Sequence, residues 1–189
     1  MKSERLSGSI DLYHKKSTDL YGIVPIDYTA GLGTAMVTKN VASMMAKGMD
    51  IQIQSVNIDL PSFKWATLLN LNLYRDKILS YYLMNNQGSY YITGANSSAI
   101  TPIEGKPVYA MMSYQWGGID PQNGDPLGVL NKEPSKDYRS ITGSGTGVDD
   151  LVYSGRVMPS VFGSVESILS LKNLSLSMVF TYKLGYYFR

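Results

Sequence analysis

Apolar and polar residues alternate with a period of two in five stretches of this chain, as in strands with one face in water and one in an apolar medium. Near residues 5–16, Leu6, Gly8, Ile10 and Leu12 share one face, and Ser7, Ser9, Asp11 and Tyr13 the other. Near 45–56, Met49, Ile51 and Ile53 oppose Asp50, Gln52 and Gln54. Residues 63–75 set Phe63, Trp65, Thr67, Leu69, Leu71 and Leu73 against Lys64, Ala66, Asn70, Asn72 and Tyr74, with Leu68 out of phase. Residues 161–171 set Val161, Gly163, Val165, Leu169 and Leu171 against Ser164, Glu166 and Ser170. In 174–186, Leu174, Leu176, Met178, Phe180, Tyr182, Leu184 and Tyr186 oppose Ser175, Ser177, Thr181, Lys183 and Gly185, and Val179 alone breaks the rule.

These stretches outrun the five or six residues of an ordinary soluble strand, and a tilted strand needs about nine to eleven residues to cross a bilayer. Their connections alternate as well. Short links at 57–62 and 172–173 contrast with long ones at 17–43 and 76–160, and transmembrane barrels pair short periplasmic turns with long extracellular loops. The expected fold is therefore all-β: antiparallel up-and-down strands of a partial transmembrane barrel, spanning 1–189. Inside the longest loop, Pro107 to Trp116 predicts a further strand, 120–126 a turn and 143–147 a flexible linker.

Composition sharpens this reading. Charged residues make up 17% of the chain, and fifteen tyrosines stand against four phenylalanines. Tyrosine suits an interface where one end of the ring is apolar and the other wet. Those near strand ends (Tyr13, Tyr74, Tyr81, Tyr82, Tyr182, Tyr186 and Tyr187) are expected in aromatic girdles at the membrane surfaces. Tyr90, Tyr91, Tyr109, Tyr114 and Trp116 lie in the long loop, where aromatics either stack on a ligand such as a sugar ring or pack within the loop. Of these, Tyr90, Tyr91, Tyr114 and Trp116 are the candidate substrate contacts.

Other chemistry finds little support. A net charge of +2 without a basic block argues against nucleic acid, and zero cysteines with one histidine remove thiolate and clustered-histidine metal sites. Glycines 31, 33, 143, 145 and 147 lack the strand-to-helix context of a phosphate cradle. Asp120, Asn123 and Asp125, like Asp149 and Asp150, offer oxygens to calcium, although turn chemistry explains them as well. His14 has no positioned partner, no carboxylate pair stands out, and neither an enzyme nor a cofactor is expected. No stretch is long and apolar enough for a transmembrane helix, and the amino-terminal residues lack the apolar core of a signal peptide.

Several segments resemble the SusC/RagA family of TonB-linked outer-membrane transporters. They are RLSGSIDLYHKKSTDLYG (5–22), TKNVASMMAKGMDIQI (38–53), FKWATLLNLNLYRDKI (63–78), PVYAMMSYQWGGIDPQNGDPLG (107–128) and the run from Leu151 to Arg189. The resemblance spans nearly the whole chain in order. It implies import of oligosaccharides or peptides across the outer membrane of a Bacteroidetes-like Gram-negative cell. It also implies drive from TonB with ExbB and ExbD acting through a plug, and capture by a SusD-like surface lipoprotein. Such transporters have about 22 strands around a plugged lumen, so these strands are expected to be a fragment of one, in contact with outer-membrane lipid. The alternative is a soluble β-sandwich surface module that binds glycans through its long loop, its apolar faces buried against each other.

Overall fold

The computed structural model describes residues 5–26, 29, 31, 36–83, 86–92 and 102–188. Five long strands form one sheet in the order β1-β2-β3-β9-β10. They are β1 (Leu6–Pro25), β2 (Met36–Asp59), β3 (Phe63–Tyr81), β9 (Val161–Leu171) and β10 (Leu174–Leu184). Smaller elements lie between: α1 (Ser89–Ile92), β4 (Ala110–Ser113), β5 (Trp116–Ile119), β6 (Pro126–Leu130), β7 (Glu133–Ser135), α2 (Tyr138–Thr142), a 3₁₀ turn (Val148–Asp150) and β8 (Val152–Arg156). β4 pairs with β8, and β5-β6-β7 form a small sheet of their own.

Two compact units share the chain. The first comprises the described residues of Met1–Lys15 with Ala46–Arg75 and Met158–Tyr186. The second comprises Lys16–Met45, Asp76–Val157 and the described residues of Tyr187–Arg189.

The first three strands run further than alternation predicted. β1 continues to Pro25, β2 begins at Met36 and β3 ends at Tyr81, so strand takes over both ends of the loop expected at 17–43 and the start of that expected at 76–160. Lys15, Lys16, Ser17, Thr18 and Asp19 are polar on both faces, and a strand without an apolar face leaves no period to read. The strand expected from Pro107 to Trp116 is instead two, β4 and β5, broken at Tyr114 and Gln115.

In the first unit the turns are tight. Leu60 and Phe63 exchange backbone hydrogen bonds of 2.9 and 3.3 Å around Pro61 and Ser62. Leu171 pairs with Leu174 across Lys172 and Asn173, and Lys172 takes the left-handed φ of 50° that such a hairpin uses. The Lys172 amide donates to the Ser62 carbonyl at 3.1 Å, which ties the two turns together.

Burial separates the units. Ala46 is a buried apolar residue of the first unit, whereas Val24, Val41, Ile78, Tyr91, Met112 and Ile141 form the interior of the second. On β1 and β10 the large apolar side chains are uncovered: Leu12 is 75% exposed, Leu174 70% and Phe180 65%. A soluble sandwich would bury such faces against one another; among the described residues they lie open.

Candidate functional site

Register converts the alternation of single strands into rows. β3 and β10 both pair antiparallel with β9, and directly opposed residues share a face. One face therefore carries Phe63–Leu171–Leu174, Trp65–Leu169–Leu176, Thr67–Ser167–Met178, Leu69–Val165–Phe180, Leu71–Gly163–Tyr182 and Leu73–Val161–Leu184. The other carries Lys64–Ser170–Ser175, Ala66–Ile168–Ser177, Leu68–Glu166–Val179, Asn70–Ser164–Thr181 and Asn72–Phe162–Lys183. The two residues that broke the period, Leu68 and Val179, thus stand in one row on either side of Glu166. The Glu166 carboxylate accepts a 2.7 Å hydrogen bond from Ser177.

The few polar groups on the apolar face find partners within it. The Trp65 indole N–H donates to Ser167 Oγ at 2.9 Å. Asn57 donates to Thr67 Oγ1 at 2.7 Å and itself accepts from Ser55. Such pairing keeps these donors and acceptors satisfied without water.

Tyr182 lies across Gly163, its direct cross-strand partner, and its hydroxyl donates to the Asn70 carbonyl at 2.9 Å. A Cβ at Gly163 would strike both the Asn70 carbonyl oxygen and the Tyr182 hydroxyl. The glycine thus leaves room for the ring, and the ring covers the strand that glycine weakens. Gly163→Ala is expected to destabilise the sheet by about 1–3 kcal/mol through overpacking. Tyr182→Phe, which keeps the ring, should cost only about 0.5–1.5 kcal/mol. Urea unfolding in detergent separates the two, and equal losses would mean that the hydroxyl and not the fit matters.

The girdle tyrosines do not all share this face. Tyr182 does, and Tyr186, 41% exposed, follows the left-handed Gly185 that ends the alternation. Tyr13 lies instead over Gly48, in phase with Asp11 and Asp50 on the polar side, and Tyr74 alternates with Leu73 onto that side too. Tyr187 belongs to the second unit, where its ring covers Gly155 and its amide donates to the Arg156 carbonyl at 2.8 Å. Sequence proximity to a strand end does not specify a face, which explains why these three depart from the expected girdle.

In the second unit, the oxygens of Asp120, Asn123 and Asp125 already hold a cation. The Lys136 ammonium pairs with Asp120, and lies 3.1 Å from Asn123 Oδ1 and 3.2 Å from Asp125 Oδ2. Its hydrogen bond to Asp120 holds that carboxyl below the usual carboxylate range and raises the pKa of Lys136. A depressed carboxyl pKa contributes stability that is present above the unfolded pKa and disappears as pH falls through the folded one. Protection of the Asp120 and Gly124 amides, whose bonds are 2.8 Å each, should therefore weaken in hydrogen exchange as pH drops below about 4. Lys136→Met should weaken that pH dependence, the Gln122 amide bond to Asp120 remaining, and an unchanged pH profile would contradict the assignment.

Asp76 and Arg156 form a buried ion pair, their side chains 5% and 12% exposed. The other Asp76 oxygen accepts the Val108 amide at 2.7 Å, so one carboxylate fastens the end of β3 to β8 and to the segment before β4.

Two clefts flank the 3₁₀ turn, which sends Asp149 to one and Asp150 to the other. The first, about 350 Å³, is bordered by Trp116, Asn131, Lys132, Thr146 and Asp150. The second, about 360 Å³, includes Tyr91, Glu104, Lys106, Met112 and Tyr153, with the Lys106 ammonium 4.8 Å from the centre of the Tyr153 ring. Of the candidate substrate contacts, Trp116 is 64% exposed at the first cleft, and Tyr90 is 42% exposed, edge-on to Tyr91. Tyr91 is buried and serves as wall, while the Tyr114 hydroxyl donates to the Thr142 carbonyl at 3.3 Å. Gly33 lies outside the described residues. Gly143, Gly145 and Gly147 link α2 to the 3₁₀ turn, where the Gln87–Gly147 bridge orders the expected flexible linker.

An antiparallel, up-and-down all-β sheet with one uncovered apolar face has the fold of a partial β-barrel. Comparison gives the same result. No family model matches the chain. The TonB-dependent receptor P26 of Formosa agariphila is 24% identical over 185 residues, which are 95% of this chain and 18% of that protein. The RagAB peptide importer in its open-open state superposes with a TM-score of 0.71 at 23% identity, over 98% of this chain and 19% of the importer chain. Its closed-closed state gives 0.69, also at 23% identity, over 98% and 20%. The chain thus spans about a fifth of the length of the proteins it matches.

Proposed function

We propose that this chain forms a length of wall in an outer-membrane TonB-dependent transporter that imports oligosaccharides or peptides together with a SusD-like lipoprotein. The observation that carries the reading is the set of apolar rows held in register across β3, β9 and β10 and left uncovered. Lipid is the medium that makes such a face favourable, at about 25 cal/mol for each Å² of apolar surface removed from water. The opposite face, with Asn70, Asn72, Glu166 and Lys183, suits a watery lumen.

The relatives add the rest by analogy. One is named a TonB-dependent receptor and the other a peptide importer; on the reading proposed here, drive comes from TonB with ExbB and ExbD, acting through a plug. On this reading Tyr182 and Tyr186 mark a membrane interface, the loops of the second unit meet the external medium, and the protein carries no catalytic role.

Deleting the gene in its own cell tests the proposal. Growth on the transported oligosaccharide or peptide should fail, deletion of TonB should reproduce the defect, and a SusD-like lipoprotein should co-purify from outer membranes. Unimpaired uptake in both deletions, or recovery of the protein in the soluble fraction, would refute it.

A further inference from the structure

We infer that the outward end of the apolar face, at His14, Lys47 and Arg75, seats the phosphate of a membrane lipid whose acyl chain runs down that face to a notch at Gly8. This goes beyond the transporter reading and rests on it for the presence of a bilayer.

Register brings these residues together. Tyr13 lies over Gly48, and the Val56 amide donates to the Arg5 carbonyl at 2.8 Å, so β1 and β2 keep one offset along this length. His14 therefore stands opposite Lys47, Leu12 opposite Met49, Ile10 opposite Ile51 and Gly8 opposite Ile53. The hydrogen bond from Asn57 to Thr67 sets the odd-numbered positions of β2 and β3 on one face. Lys47, Gly48 and Met49 border one shallow cleft with Leu73, Tyr74 and Arg75. Lys47 and Arg75 thus extend the face of Met49 and Leu73 by one step, and His14 flanks them.

Charge is distributed unevenly between the two faces. In residues 6–14, 47–57, 63–75, 161–171 and 174–184, the carboxylates Asp11, Asp50 and Glu166 are all in phase with the polar face, as are Lys64 and Lys183. His14, Lys47 and Arg75 are the basic residues in phase with the apolar face, and they sit at the end remote from the two tight turns. All three are exposed, and neither Lys47 nor Arg75 pairs with a carboxylate among the described residues. Cross-strand neighbours stand about 5 Å apart, close enough for one phosphate to meet both cations. A guanidinium fork, an ammonium and an imidazole N–H are the donors that phosphate oxygens accept.

The notch supplies the apolar half. A Cβ at Gly8 would meet the Gln52 carbonyl oxygen at 2.6 Å, which keeps the position bare. Leu6, Ile10, Ile51 and Ile53 wall a cleft of about 370 Å³ around it. From Lys47 to Ile53 is about 20 Å along the strand. At a tilt of about 45° this is about 14 Å of depth, close to half of a hydrocarbon core about 30 Å thick. A lipid of one leaflet spans from the basic row to the notch, whereas a soluble anion would gain nothing from it.

The test uses the whole protein, purified from outer membranes in dodecyl maltoside and stripped of lipid. Phosphatidic acid and diacylglycerol, each with a diazirine at the end of one acyl chain, are photolysed with it, and adducts are mapped by peptide mass spectrometry. Phosphatidic acid should label the residues around Gly8 saturably, and diacylglycerol at least about fivefold less. Lys47→Gln and Arg75→Gln should each lower that labelling about fivefold, while Arg75→Lys retains most of it and Lys183→Gln, on the polar face, changes nothing. Equal labelling by both probes, parent-like labelling in both glutamine variants, or displacement by excess inorganic phosphate overturns the lipid seat and leaves the lipid-facing wall standing. Labelling of the apolar face by neither probe would sink the wall as well.

Discussion

Replacing Asp76 with alanine is expected to destabilise the second unit by about 3–5 kcal/mol, the usual result of removing one member of a buried ion pair. The loss has two sources. Arg156, only 12% exposed, would lose the Asp76 carboxylate that faces its charge, and the Val108 amide would lose its 2.7 Å acceptor. Arg156→Ala should cost a similar amount by stranding the carboxylate. Replacing both at once, Asp76→Leu with Arg156→Met, should cost less than the sum, because neither leaves a buried charge behind. Hydrogen exchange along β4 and β8 reads the effect directly, since Ala110 pairs with Arg156 there. Single variants that lose less than about 1 kcal/mol would show that water reaches the pair and that it does little for the unit.

The second large effect concerns the uncovered face. Phe180→Arg should cost about 2–4 kcal/mol of folding stability in a bilayer, the penalty for a cation on the lipid side of a barrel near its midplane. Phe180 is 65% exposed and stands in the Leu69–Val165–Phe180 row, so lipid would be its only cover. Thr181→Arg, one residue on, enters the Asn70–Ser164–Thr181 row and should be nearly neutral. Refolding into vesicles across a urea series compares the pair. Equal penalties at both positions would mean that the two faces see the same medium.

Much of this sheet could be read from period two alone. The phases assigned to 63–75, 161–171 and 174–186 are those that the register aligns, because each strand here keeps one face apolar over its whole length. Leu68 and Val179 looked like separate lapses until pairing placed them in one row around Glu166, a relation invisible within either strand. The long end of β1 escaped because Lys15 to Asp19 are polar on both faces, and those of β2 and β3 because 36–45 and 76–81 mix apolar and polar residues on both faces. Tyr13 and Tyr74 were judged by distance from a strand end, which says nothing about face.

In the second unit the limit was different. Asp76 and Arg156 meet across 80 residues, and Lys136 reaches back into the turn that begins at Asp120, so no local pattern announces either pair. Trp116 was recognisable as a loop aromatic. Thr146 was not recognisable as a buried residue, since a threonine inside GSGTG signals flexibility in a sequence.

The measurement that bears most directly on the central claim uses the absence of cysteine from this chain. Single cysteines placed at each position from Leu174 to Leu184, in protein assembled in membranes and otherwise free of reactive cysteine, are exposed to a water-soluble maleimide. Positions 175, 177, 181 and 183 should label, while 174, 176, 178, 180, 182 and 184 stay protected until detergent is added. Uniform labelling of both sets before detergent would contradict the account, because it would place the apolar rows in water.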